Sequence, residues 1–287
     1  MAARDVFGAR FQNPILLAAG TAGYGRELDG VMDVARLGGL ITKAVSLAPR
    51  AGNAPPRVAE FRGGMLNSVG LANPGLSAVR SDHLPWLVRS APPARVLVNV
   101  VGFEIGEYAA VIDGLEEIEG ITAYELNLSC PNTSAGGIEF GADPVCVTQI
   151  IAQCRARTGL PIIAKLSPVL PDIGGVAVVA RDAGADGISV VNTVPGSLTH
   201  DDGRQRLGQG AGGVSGPALL AIGVRAVSRV LERTGGMPVI GVGGVTTAGD
   251  ARQYLRAGAS LVAIGTAGLA DPRVPERVIA HLERDGV

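Results

Sequence analysis

The chain has 287 residues, of which 47% are hydrophobic and 18% charged, and it carries 42 glycines and 18 prolines. So much apolar surface excludes a disordered chain and is enough to build a large core. A formal net charge of −1 lacks the Lys/Arg excess of a nucleic-acid surface. No apolar run is long enough to span a membrane, and Met1 to Gly20 lacks the order of a signal peptide. These features predict a cytoplasmic protein without nucleic-acid or membrane partners.

Eight short apolar runs predict strands. In chain order they are Pro14–Gly20, Gly39–Ala44, Val96–Val101, Ala123–Leu128, Pro161–Leu166, Gly187–Asn192, Pro238–Val242 and Leu261–Gly265. Amphipathic segments lie between most of them: Ile105–Glu117, Asp143–Thr158, Gly216–Thr234 and Thr247–Ala257. Asp143 and Pro144 form an N-cap and first-turn pair. This alternation predicts an α/β fold, a (β/α)8 TIM barrel forming a single domain over residues 1–287. Val45–Arg95 is too long for one crossover and predicts an excursion between strands 2 and 3, over the barrel mouth. An open doubly wound sheet is the alternative, but no strand is followed by the G-x-G-x-x-G turn of a dinucleotide site.

In such a barrel the C-terminal strand ends converge on one opening. There the sequence places Gly20 and Thr21, Lys43, Asn99, Asn127 with Ser129 and Cys130, Lys165, Asn192 with Thr193, Gly243 with Gly244, and Gly265 with Thr266. Asparagines within apolar strands need partners, so three of them point to a ligand rich in amide-type donors and acceptors, such as a pyrimidine or an isoalloxazine. The glycines after strands 7 and 8 bare backbone N–H groups where barrels hold phosphate. Lys43 and Lys165 are the only lysines among 25 basic residues, which marks them as places where a compact ammonium is needed.

Of the three cysteines, Cys146 and Cys154 lie on a helix face as core residues, and the spacing supports neither a disulfide framework nor an iron–sulfur cluster. Cys130 opens a glycine-rich loop and is the candidate nucleophile or general base. His83, His200 and His281 offer it no partner, and a thiol beside amides and a phosphate site points to proton abstraction. His200, Asp201 and Asp202 receive no role. A Schiff-base, aldolase-type barrel using Lys165 is an alternative on these residues.

The segments Asn13–Tyr24, Gly64–Gly75, Glu125–Asn132 (ELNLSCPN), Gly212–Leu219, Gly241–Val245 and Ala257–Thr266 together resemble the dihydroorotate dehydrogenase family. The stretch Gly136–Pro144 resembles its class 1B branch. The resemblance implies FMN-dependent oxidation of dihydroorotate to orotate in pyrimidine biosynthesis. It implies FMN contacts from Thr21, Lys43, Ala44, Asn99, Asn127, Lys165, Val191, Gly216, Gly243, Gly244, Gly265 and Thr266. Substrate would be held by Lys43, Asn67, Ser68, Val69, Gly70, Leu71, Asn127, Asn192 and Thr193, with Cys130 as general base and no metal. It also implies a homodimer core joined to a partner subunit carrying FAD and a 2Fe-2S cluster, a heterotetramer that passes electrons to NAD. The fumarate-reducing class 1A enzyme, which needs no partner, is the alternative within the family. Ala44 stands where the family often has a hydroxyl residue, and Gly196–Gly212 looks shorter than usual.

Overall fold

The computed structural model describes residues 3–129 and 139–286. Its centre is a closed barrel of eight parallel strands. In chain order these are β3 (Ile15–Leu17), β4 (Gly39–Ile41), β7 (Arg95–Val100), β8 (Ile121–Asn127), β9 (Ile162–Leu166), β10 (Gly187–Val190), β13 (Val239–Val242) and β14 (Leu261–Ile264). Every predicted strand is present; most are trimmed at their ends, whereas β7 and β8 begin one and two residues earlier than predicted. The trimmed residues bend out of the ladder, as strand ends entering loops do.

A hairpin of β1 (Arg4–Val6) and β2 (Ala9–Phe11) precedes the barrel. It was not foreseen, because three-residue strands leave too little periodicity to read. Its Val6 and Phe11 join the cluster inside the barrel with Leu16, Ile41, Leu97, Ala123, Ile163, Ile240 and Leu261, so the N-terminal end is filled by side chains.

Helices α1 (Gly75–Ala78) and α2 (Leu84–Ser90) flank a π-helical stretch, Val79–His83. The outer layer continues with α3 (Ile105–Asp113), α4 (Pro144–Arg155), α5 (Ile173–Asp182), α6 (Leu219–Thr234), α7 (Ala248–Arg256), α8 (Thr266–Ala270) and α9 (Val274–Arg284). Asp143 caps α4 by accepting from the Val145 N–H, with Pro144 following. Thr247 and Asp250 form a reciprocal capping box on α7. Cys146 and Cys154 are buried on α4, as core thiols, and burial pushes the Cys154 thiol up to about 12.

The excursion contributes β5 (Val58–Phe61) and β6 (Gly64–Asn67), and the segment after β10 contributes β11 (Val194–Ser197) and β12 (Ala211–Ser215). These four pair antiparallel in the order β11-β12-β6-β5. The sheet is rooted where β10 ends, and Ser215 bonds Thr266 at the end of β14, Oγ to Oγ1 at 2.8 Å. It therefore stands at the C-terminal mouth. The stretch Gly196–Gly212, read only as shorter than usual, supplies most of one hairpin. Glycines in both strands and Pro195 hide the strand pattern.

Candidate active site

Inward-facing positions alternate along each barrel strand, so the side chains two residues above the apolar layer form the next layer up. On β7 this step leads from Leu97 to Asn99, on β8 from Ala123 to Glu125 and then Asn127, and on β9 from Ile163 to Lys165. The register sets Asn99 opposite Glu125 and Asn127 opposite Lys165. Asn99 Nδ2 donates to Glu125 Oε1 at 2.7 Å. Lys165 Nζ lies 3.5 Å from the same oxygen. Glu125 is fully buried, and Asn99 and Lys165 nearly so. Glu125 is the principal site residue that sequence reading passed over. It stood inside the quoted motif, but only a register places it beneath both Asn99 and Lys165.

Asn127 sits at the end of β8. Its Oδ1 accepts from Asn192 Nδ2 at 3.3 Å, so two of the three predicted asparagines meet directly. Asn192 Oδ1 accepts from the Thr193 N–H. The Tyr108 hydroxyl donates to the Asn127 carbonyl at 2.8 Å and fixes that strand end. Lys43, partly exposed, is held by its backbone N–H on the Gly23 carbonyl at 2.7 Å. Beside it Ala44 is buried, and its carbonyl accepts from the Tyr24 hydroxyl at 3.0 Å.

The turn Asn67–Leu71 follows β6. Asn67 Nδ2 donates to the Gly213 carbonyl at 3.2 Å, Ser68 Oγ accepts from Asn53 Nδ2 at 2.8 Å, and the Val69 carbonyl accepts from the Asn53 N–H. Gly70 and Leu71 have φ of 71° and 56°, which reverses the chain. Added bulk at Gly70 would strike Asn53. Asn73 ties this turn to the end of β4: its Nδ2 donates to Ser46 Oγ and the Leu71 carbonyl, and its Oδ1 accepts from the Ser46 and Gly75 N–H groups.

Gly243, Gly244, Gly265 and Thr266 lie at the ends of β13 and β14. Among the described residues their N–H groups donate to no protein acceptor, which leaves four donors for an anion. Gly244 has φ of 73°, and a Cβ there would lie 2.5 Å from the Leu220 backbone nitrogen, so this position admits no side chain. The turn is supported from behind by Tyr254 of α7, whose buried hydroxyl lies 2.9 and 2.8 Å from the carbonyls of Val242 and Gly243. The ring fits because Gly241 and Gly223 have no Cβ. One at Gly241 would lie 2.3 Å from Tyr254 Cδ1, and one at Gly223 would lie 1.9 Å from its hydroxyl. Gly216, with φ of 121°, is packed against Gly64, at the foot of β12. Val191 is buried with its N–H on the Val242 carbonyl. Thr21 is partly exposed just past β3.

Cys130 and the loop to Ile138 lie outside the described residues. Just past them, Glu139 is half-buried. Burial raises its carboxyl above the ordinary range, against a smaller lowering by the Ser167 hydroxyl. His83 stacks on Tyr24, with ring centroids 4.8 Å apart, His281 lies on α9, and His200 is exposed near Asp202.

Among the described residues, fold and mouth define a barrel with unpaired backbone N–H groups after β13 and β14 and an amide-and-lysine layer at the ends of β7 to β10. A family model described as Dihydroorotate dehydrogenase matches residues 1–285. The chain belongs to that family. It is 45% identical over 281 residues to the "Dihydroorotate dehydrogenase B (NAD(+)), catalytic subunit" of Desulforudis audaxviator, covering 97% of this chain and 90% of the relative. It is 42% identical to the protein of the same name from Pelobacter propionicus, covering 98% and 91%. It is also 42% identical to the "Putative dihydroorotate dehydrogenase A (fumarate)" of Aquifex aeolicus, covering 97% and 91%. Membership in this family displaces the Schiff-base reading of Lys165.

Proposed function

We propose that this chain oxidises dihydroorotate to orotate in pyrimidine synthesis, using FMN, and delivers the electrons to NAD through a partner subunit. The observation that carries the reading is the coincidence, at one barrel mouth, of four undedicated N–H donors and the Asn99–Glu125–Lys165 layer. A dianionic phosphate suits the first, since backbone N–H groups bind it without a charged side chain. An amide-rich ring suits the second. When bound, FMN supplies the two-electron acceptor for hydride leaving C6 of the substrate.

Thr21, Ala44, Val191 and Gly216 complete the FMN contacts. Lys43, the turn Asn67–Leu71, Asn127, Asn192 and Thr193 hold and orient the substrate, with Lys43 meeting its negative charge. Cys130 takes the proton from C5, so that loss of H⁺ and H⁻ leaves the C5–C6 double bond of orotate.

The partner is a subunit carrying FAD and a 2Fe-2S cluster, docked on a homodimer of this chain. The phrase "catalytic subunit" in the relatives' names supports a second subunit. Purified protein should be yellow, and dihydroorotate should bleach it under anaerobic conditions. NAD reduction should need the co-expressed partner. A colourless protein would remove the flavin reading, and rapid turnover with fumarate and no partner would move the chain to the fumarate-linked branch.

A further inference from the structure

A fully buried carboxylate is costly unless every lone pair is used. Glu125 uses one oxygen twice, for Asn99 Nδ2 and Lys165 Nζ, while its Oε2 has no hydrogen-bond partner among the described residues. Stability alone would favour an apolar side chain here, as its inward neighbours Ala123 and Ile163 illustrate. The carboxylate also decides what its neighbours present. With Nδ2 committed to Glu125, Asn99 keeps its amide oxygen as the free acceptor. With Oε1 beside Nζ, the Lys165 ammonium is held on the β8 side and its charge is partly offset.

We infer that Glu125 is a positioning residue that fixes the Asn99 amide and sets how much of the Lys165 charge reaches the flavin, thereby holding the flavin potential down. The inference rests on the flavin reading above. A low potential serves a chain whose electrons must continue to NAD, because each step has to release them again. Removing the carboxylate charge frees more positive charge for the reduced ring, which carries the added electrons, and so stabilises reduced over oxidised flavin.

The test compares wild type with Glu125→Gln, which keeps an acceptor and the side-chain length but no charge. The readouts are the two-electron potential of the bound flavin and its affinity for sulfite, which adds to electron-poor flavins. In Glu125→Gln the relative affinity for reduced flavin should rise at least about tenfold, or roughly 30 mV for a two-electron couple. Sulfite should bind more tightly in the same variant. Glu125→Asp keeps the charge but withdraws it from Lys165, so its potential should rise by less, and it carries the test if the glutamine variant does not fold. Potentials equal to or below wild type in the folded variants, whatever their thermal stability, would overturn the role of Glu125. A wild-type protein that binds no flavin would instead overturn the reading beneath it.

Discussion

A carboxylate and an ammonium buried together make single substitutions ambiguous, and Lys165 is the case in point. Lys165→Ala removes the charge proposed to stabilise reduced flavin, yet it also strands Glu125. Breaking such a pair costs about 3–5 kcal/mol, whereas replacing both members with neutral groups of similar size is often neutral. Denaturant unfolding should therefore show Lys165→Ala strongly destabilised and Glu125→Gln/Lys165→Met close to wild type, with flavin reduction by dihydroorotate impaired in both. Flavin reduction unimpaired in the double variant would free Lys165 of any part in the chemistry. Cys130→Ser should retain flavin but reduce it more slowly at pH 7, with the rate recovering as pH rises, because a hydroxyl is a weaker base than a thiolate. Stopped-flow reduction equal to wild type would end the assignment. Glu139 supplies a pH effect of its own. Its carboxyl lies above the ordinary 4.5, so the fold favours the protonated form. That stability is fully present below the unfolded value and is lost as pH rises through the raised folded value. Melting temperature relative to Glu139→Gln should fall across that window, and parallel curves would contradict it.

At the level of elements, the eight barrel strands were legible because strands buried on both faces read as continuous apolar runs. The mouth sheet was not. Val-Pro-Gly-Ser in β11 and Ala-Gly-Gly-Val-Ser in β12 carry no strand pattern, and their pairing is imposed by partners distant in sequence. The asparagines and glycines at strand ends could be named from sequence because their chemistry is conspicuous there. Tyr254 could not, since an aromatic residue on α7 reads as core, and its hydroxyl matters only through the Gly243 turn. Tyr254→Phe removes that support and should cost about 1 kcal/mol in stability. Gly241→Ala drives a methyl into the ring and should cost about 1–3 kcal/mol. Both should weaken FMN binding in a fluorescence titration, while leaving orotate affinity of the flavin-loaded protein near wild type. Unaltered flavin affinity in both variants would detach Tyr254 from the cradle.

For the molecule as a whole, the closed barrel supplies rigid strand ends, and the antiparallel sheet adds the turn Asn67–Leu71 across the opening. Purified alone, the chain should pass electrons from dihydroorotate to an artificial dye but reduce NAD only slowly, and a partner carrying FAD and an iron–sulfur cluster should restore the NAD rate. Steady-state assays with and without that subunit decide the matter. The sheet has a further consequence for how the protein is made. Asn67 leans on Gly213, 146 residues later in the chain, and β6 has no barrel neighbour of its own, its pairing partners being β5 and β12. During synthesis the turn after β6 emerges long before the strand that steadies it. A seated Asn67 is thus among the last features the nascent chain acquires, and a chain truncated before Ala211 would contain most of the barrel strands yet lack it.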